Sequence, residues 1–305
     1  MKTTITILLL FIGSIAMAQE NFQEYQFEKT ETYIIKLIDD ESEFIGAFIE
    51  KNGLSVSIKT NSLPKVEIPF SKIKSIEKAP SENIKNGKYW FQNPNPTRYL
   101  FGPSAFGLKK GTGYYQNSYL LINSFNYGLT DNITIGGGFE FITLINGNPV
   151  FFITPKITFP VAEKVNIGAG LLYVNSPKFF DDSRSQSGIA YGIGTYGTPE
   201  HNITGGLGWG FIEGTFSSKP IITISGMTRV GKRFALITEN WIVPTVTHHY
   251  NTNSYEKSYE YHGLYSYGVR FFGKKMAVDL ALMNNKDISE ALLLGFPYID
   301  FVVQF

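Results

Sequence analysis

The sequence predicts an all-β protein: a roughly twelve-stranded antiparallel transmembrane β-barrel preceded by a small β-domain. Three observations carry that prediction. From residue 97 onward, apolar and polar residues alternate with period two in runs rich in Tyr, Phe, Ile, Thr and Gly, the pattern of strands with two unlike faces. The links between these runs alternate between short and long, as turns on one membrane side and loops on the other do in such barrels. The last run ends on Phe305, with Ile299, Phe301 and Val303 on the same face as that terminal aromatic.

Composition narrows the function classes. The 305 residues include 27 Lys+Arg against 26 Asp+Glu, a formal net charge of +1. That balance argues against a nucleic-acid partner, which requires a basic face for the phosphates. Charged residues make up only 17% of the chain and aromatics 15%, which argues against disorder. Cysteine is absent, so disulfides, thiolate metal sites and a cysteine nucleophile are excluded.

Residues 1–18 read as a signal peptide: Lys2 supplies the positive start, Ile5–Ile12 the apolar stretch, and Ala16-Met17-Ala18 the small-x-small cleavage site. The apolar stretch is too short for a spanning helix, which needs about 20 residues, and no Cys follows it to carry a lipid anchor. Residues 19–80 are Lys/Glu-rich and poor in Gly. Strands are expected at Thr32–Ile38, Glu43–Glu50, Leu54–Lys59, Lys65–Phe70 and Ile73–Glu77, with Ile35, Leu37, Phe44, Ile49, Val56, Ile58 and Ile68 facing inward. Five short strands in so little chain suggest a small SH3-like or Sm-like barrel. The run Phe44-Ile45-Gly46, Ile68-Pro69-Phe70, Ile73, Ile76 resembles small β-barrel modules found ahead of some bacterial envelope domains, which implies a docking role. Residues 81–96 read as a linker, with Tyr89-Trp90-Phe91 packing it against the next domain or, as the alternative, meeting the membrane interface that Trp and Tyr favour.

The barrel is expected over residues 97–305. Its strands are placed at 97–108, 113–128, 131–143, 150–159, 164–175, 187–197, 201–213, 219–230, 233–244, 260–272, 275–283 and 295–305, with a short helix around Asp287–Leu294. Only the link Lys109–Gly113 is short where a long one is expected. An even strand count with both ends on one side places the small domain and the C-terminus in the periplasm. The terminal strand resembles the assembly signal of bacterial outer-membrane barrels, which implies the barrel-assembly machinery and outer-membrane lipids as partners. A periplasmic envelope protein is the expected partner of residues 19–80.

Charged residues inside the strands have one allowed direction. With Ile135, Phe139 and Phe141 toward lipid, Glu140 points into the lumen; the same parity turns Lys156, Arg229, Arg270, Asp279 and Asp300 inward, and Arg98 and Glu239 follow. Lys or Arg on the lipid face at the midplane costs about 2–4 kcal/mol. Four bases and four acids fit either an ion-paired, filled lumen or a narrow, weakly selective pore, since strong selectivity calls for one dominant sign.

Thr97-Arg98-Tyr99, Phe101-Gly102-Pro103-Ser104-Ala105, Lys110-Gly111-Thr112-Gly113-Tyr114-Tyr115 and Tyr127–Gly138 resemble a group of outer-membrane β-barrel proteins of Bacteroidota. The resemblance implies an exported barrel and brings no established activity and no site residues.

Chemistry has little footing. No phosphate loop, dinucleotide fingerprint or glycosidase carboxylate pair is present, and Asp181-Asp182 falls short of the 6–8 oxygens of a calcium site. His262 with Ser254 or Ser258 could form a hydrolase pair on paper, but neither Ser sits in a nucleophile motif; His248, His249 and His262 read as solvated rather than metal-binding, and His201 lies at a turn. The expectation is therefore a non-enzymatic barrel without cofactor or metal, either a narrow channel or a structural and docking barrel. Loop-mediated ligand binding or transport is the alternative, and an outer-membrane lipid hydrolase a remote one.

Overall fold

The computed structural model describes residues 22–39, 42–85, 88–178, 181–251 and 254–305; the signal peptide expected over 1–18 lies outside them. The chain forms two compact units that divide after Trp90.

The first unit is a five-stranded antiparallel sheet of β1 (Thr32–Leu37), β2 (Glu43–Lys51), β3 (Ser55–Thr60), β4 (Val66–Pro69) and β5 (Ile73–Lys78), in the order β4-β3-β2-β1-β5. Its core joins Tyr33, Ile35, Val56, Ile58, Ile68, Phe70, Ile73 and Ile76, with Phe22 closing one end and Leu37 and Phe44 packed at the edge. Ile49, expected inward, is replaced by Phe48: the pairing of β2 with β3 slips between Phe48 and Glu50, and a one-residue slip exchanges the two faces of a strand. The β2–β3 turn is held by Asn52, whose Oδ1 accepts from Leu54 N at 2.8 Å and Ser55 N at 2.7 Å. The Ser55 hydroxyl, helped by Asn52, holds the Glu67 carboxyl below its usual range. The linker expected over 81–96 does not exist as a separate piece. Residues 81–90 group with this unit and pair among themselves, in a two-residue ladder of Ile84–Lys85 with Lys88–Tyr89 and with the Lys85 ammonium over the Trp90 ring. Residues from Phe91 belong to the second unit.

The second unit is a closed antiparallel barrel of twelve strands. They are β6 (Gly113–Ser118), β7 (Ile122–Gly128), β8 (Ile133–Glu140), β9 (Phe151–Ile153 continued by Lys156–Ala162), β10 (Val165–Lys178), β11 (Asp181–Thr198), β12 (His201–Ile212), β13 (Ile221–Gly231), β14 (Phe234–Asn251), β15 (Ser254–Phe272), β16 (Met276–Asn284) and β17 (Phe296–Gln304). Each pairs with its neighbours in sequence, and β17 closes on β6 from Asp300↔Ser118 to Gln304↔Tyr114. Closure removes both sheet edges. Two helices of less than two turns, α1 (Phe141–Ile145) and α2 (Lys286–Ala291), sit in hairpin links at the end away from the termini.

Two of the expected strands are wrong, and their errors cancel. Residues 97–108 form no strand, only an isolated bridge between Arg98 and Pro103. Residues 113–128 are a complete hairpin, β6 and β7, which also removes the anomalous short link at Lys109–Gly113. The turn between them uses Tyr119 at φ 56° and Leu120 at φ 63°, left-handed positions usually given to Gly or Asn. The long links expected at Asn175–Gln186 and Thr245–Glu260 are mostly paired strand, since β10–β11 and β14–β15 continue as tall hairpins.

The barrel's outer face is apolar all the way round. Phe125, Ile135, Ile167, Ile203, Leu236 and Ile299 are all solvent-exposed and alternate with buried or half-buried residues on their strands. A continuous apolar belt on a closed barrel is the surface of a membrane-spanning protein. In β17, Ile299, Val303 and Phe305 lie on that outer face, while Tyr298, Asp300 and Val302 are buried within.

Candidate functional site

The space inside the barrel holds the chain itself. Residues 91–108 run through it without regular secondary structure, and Asn95, Thr97, Tyr99, Leu100, Ser104 and Ala105 are buried. Their partners lie on β8, β9, β11, β12, β14, β15 and β17, which lie right round the barrel; a segment that touches them all can only be inside. We call it the plug.

Buried backbone amides and carbonyls must find partners, and a plug without neighbouring strands takes them from side chains. Lys156 on β9 donates from one ammonium to the carbonyls of Thr97, Ser104 and Phe106 at 2.9, 2.9 and 2.8 Å. Glu239 on β14 does the converse: its Oε2 accepts from the amides of Leu100, Phe101 and Gly102 at 2.8, 3.0 and 2.9 Å. Three successive N–H groups around one oxygen form an anion-holding nest. The Trp241 indole fixes the other carboxylate oxygen at 2.7 Å. Gly102 allows this approach, because a Cβ there would stand 3.2 Å from the Glu239 carboxyl carbon.

Arg270 on β15 is fully buried. It grips Asp279 of β16 through two bonds, Nε to Oδ1 at 2.6 Å and Nη2 to Oδ2 at 2.7 Å. Its remaining N–H groups reach the carbonyls of Asn95 and Tyr99, both at 2.7 Å. Arg98, carried by the plug, pairs with Asp300 of β17 at 2.6 Å and donates to the carbonyls of Tyr99 and Leu100. The Tyr298 hydroxyl and the Gln116 amide also donate to Asp300. Near the termini, Arg229 of β13 donates to the Phe91 carbonyl at 2.7 Å and lies over the Phe91 and Phe272 rings. The aromatic clamp expected of Tyr89-Trp90-Phe91 is therefore divided, with Phe91 in the barrel and Trp90 against Lys85 in the first unit.

Seven of the eight strand charges singled out in the sequence, Arg98, Lys156, Arg229, Glu239, Arg270, Asp279 and Asp300, are buried here. Glu140 is not among them. β8 ends at Glu140 and α1 begins at the next residue, so its carboxylate turns back to accept from Ile142 N at 2.9 Å and Thr143 N at 2.7 Å. Glu200 takes the fourth acidic place: it pairs with Arg229 at 2.8 Å and accepts from Asn93 N at 2.8 Å. Glu140→Ala is expected to cost about 1 kcal/mol, the usual loss at a helix cap, and to leave the plug in place. Conductance indistinguishable from wild type, beside a slightly lower urea midpoint, checks this.

Neutral groups complete the contact. The Tyr99 hydroxyl meets Asn202 Oδ1 at 2.6 Å and Thr204 Oγ1 at 2.7 Å. The Ala105 amide donates to Thr195 Oγ1 at 2.8 Å, and the Leu108 amide to Thr134 Oγ1 at 3.2 Å. Above the plug, on the side away from the chain termini, the barrel surrounds a cavity of about 350 Å³ that is open on one side.

Of the histidines, His201 touches Thr228 Oγ1 at 2.8 Å, and His262 lies 3.8 Å from Glu260, both exposed. The side chains of His248, His249, Ser254, Asp181 and Asp182 lie outside the described residues. Among the described residues no group of three or more metal-ligating side chains comes together.

No protein-family model and no curated protein matches the sequence. Solved structures with some likeness are outer-membrane barrels. The KdgM porin shares 8% identity at a TM-score of 0.40, covering 63% of this chain and 96% of its own. The NanC porin shares 8% at 0.37 with the same coverage, and OmpT of Vibrio cholerae shares 15% at 0.32, covering 90% of this chain and 93% of its own. At such scores the barrel's own geometry carries the reading.

Proposed function

We propose that this protein is a non-enzymatic outer-membrane barrel closed by its own segment 91–108, with the N-terminal five-stranded unit serving as a docking module in the periplasm. One observation carries the reading: the charges buried in the barrel are spent on holding the plug. Lys156, Glu239 and Arg270 alone satisfy eight plug amides and carbonyls. A conducting lumen leaves its charged lining free to meet ions, whereas here each of these groups is committed to backbone or counterion. The same commitment speaks against catalysis in the lumen, where an acid or base must be free to exchange a proton. In this reading, the exposed face of β17 ending on Phe305 presents the barrel to the assembly machinery, and the apolar belt faces outer-membrane lipid.

Planar-bilayer recording of the refolded protein tests closure. Wild type, shown to be folded by heat-modifiable gel mobility, is expected to give no steady single-channel current. A stable open level in wild type would return the narrow-channel reading. For the docking role, in-cell cross-linking from introduced cysteines on β2 and β3 is expected to join the first unit to an envelope protein; a unit that joins nothing in intact cells argues against it.

A further inference from the structure

The cavity above the plug does not have the wall expected of a water-filled barrel. Inward faces of membrane barrels are ordinarily polar. Here the inward residues of β10, β11, β13 and β14 include Leu172, Val174, Ile189, Ile193, Ile221 and Trp241. Leu172 stands directly opposite Ile189 in the ladder, so the aliphatic surface is continuous across strands. The plug covers only the lower part of this wall, where Ile193 is buried and Trp241 meets Glu239. Val174, Ile189, Ile221 and Trp241 are half-buried although they face the interior, so the space beside them opens toward the loop-bearing rim. The opposite wall, from β6 to β9, carries the polar groups Gln116, Ser124, Asn126 and Thr154 between the apolar Ile122 and Phe152, with Lys156 at its foot against the plug. At about 350 Å³ the cavity falls at the lower end of small-molecule sites, about 300–1,000 Å³. Apolar wall left bare to water is unfavourable by about 25 cal/mol per Å², and an occupant with an apolar body removes that penalty.

The rim shows where such an occupant comes from. β6 has only six residues, about 20 Å of strand. At a tilt of about 40° it rises about 15 Å, short of the apolar band of about 25 Å. The β10–β11 and β14–β15 hairpins are two to three times as long. The barrel wall is therefore low on the side of β6 and β7. The tips there carry exposed apolar residues: Leu120 in the β6–β7 turn, Ile142 and Ile145 in α1 beside it, and Leu293 and Leu294 before β17 on its other flank. Leu293 is 94% exposed. Apolar tips on a wall too short to clear the bilayer stand in hydrocarbon.

We infer that the cavity binds an acyl chain that enters from the membrane over this low wall. The chain lies against the aliphatic wall of β10–β14, and its polar end meets the amide and hydroxyl groups of β6–β9. The inference rests on the barrel spanning a membrane and on the plug forming the cavity floor through Thr97, Arg98 and Pro103.

Fluorescence quenching of Trp241 tests it. Trp90 and Trp209 are replaced by Phe, leaving Trp241 as the reporter, and the protein is placed in vesicles. One arm adds dibrominated stearic acid to unbrominated phospholipid; the other uses phospholipid brominated on its own chains. Saturable quenching in the first arm supports a free fatty acid as occupant. Quenching in the second arm alone supports a chain of the surrounding lipid. In either case Ser124→Phe, which fills the space, and Val174→Asp, which charges its wall, are each expected to cut the quenching at least threefold while heat-modifiable mobility is kept. No quenching in either arm, or quenching that both variants leave unchanged, overturns the inference. Cysteines at Ala105 and Thr195, cross-linked in the same protein, report the plug separately, so an empty cavity over a seated plug is distinguished from a displaced plug.

Discussion

Arg270→Met is expected to destabilise the barrel by about 3–5 kcal/mol, the loss that follows when one partner of a buried ion pair is removed. The side chain is fully buried, so no water replaces what is lost. Asp279 keeps its charge without its two-bond partner, the Asn95 carbonyl loses its donor, and the Tyr99 carbonyl keeps only Arg98. Asp279→Asn added to Arg270→Met is expected to recover part of the loss, because it removes the stranded charge while the Asn95 carbonyl stays unpaired. Urea unfolding in vesicles, followed by gel mobility, reads both variants. An Arg270→Met barrel within 1 kcal/mol of wild type would remove this residue from the account; the recovery separates ion pair from plug contact.

Lys156→Met is expected to loosen the plug more selectively. Among the described residues Lys156 forms no ion pair, and its three hydrogen bonds go to plug carbonyls. Methionine fills similar volume without a donor. The Thr97 carbonyl keeps the Ser104 amide as a donor, while those of Ser104 and Phe106 are left unpaired; an unsatisfied buried polar group costs about 1–3 kcal/mol, so the seated plug rises about 2 kcal/mol or more above its wild-type level. The expected result is a barrel that still assembles and now shows intermittent current in planar bilayers, where wild type is silent. Lys156→Arg, which keeps donors at the site, is expected to stay closer to wild type. Silence from a folded Lys156→Met barrel would mean that the remaining contacts hold the plug unaided.

The parts of this architecture legible in the sequence are those set by period two. In β17, Tyr298, Asp300 and Val302 face inward and Ile299, Val303 and Phe305 outward because nothing interrupts the alternation. Arg270 and Asp279 lie directly opposite each other on neighbouring strands, and lipid on one face leaves their charges only the other. Where the strand stops, parity stops. Glu140 is the last residue of β8 and caps a helix, and Glu200 sits in a turn, where alternation gives no direction.

The plug escapes a period-two reading for a related reason. An extended segment that buries one set of side chains looks the same inside a barrel as in its wall; what separates them is whether the backbone bonds to strands or to side chains, which periodicity does not encode. Tyr119 and Leu120 hid the β6–β7 turn because neither is a residue that favours the left-handed conformation they adopt. The aliphatic inner wall is not legible from charge parity, because Leu172 and Ile189 belong to strands apolar on both faces.

Cross-linking of the plug to the wall tests the central claim most directly. The chain has no cysteine, so a pair introduced at Ala105 and Thr195, which touch at 2.8 Å through amide and hydroxyl, reports one contact only. In the folded, membrane-inserted protein, oxidation or a short bis-maleimide is expected to join the two in most molecules, giving a loop-closed species of altered mobility after full denaturation. Two cysteines that stay separate in the folded barrel, and that a charged maleimide labels freely, would place residues 91–108 outside the lumen and contradict the account.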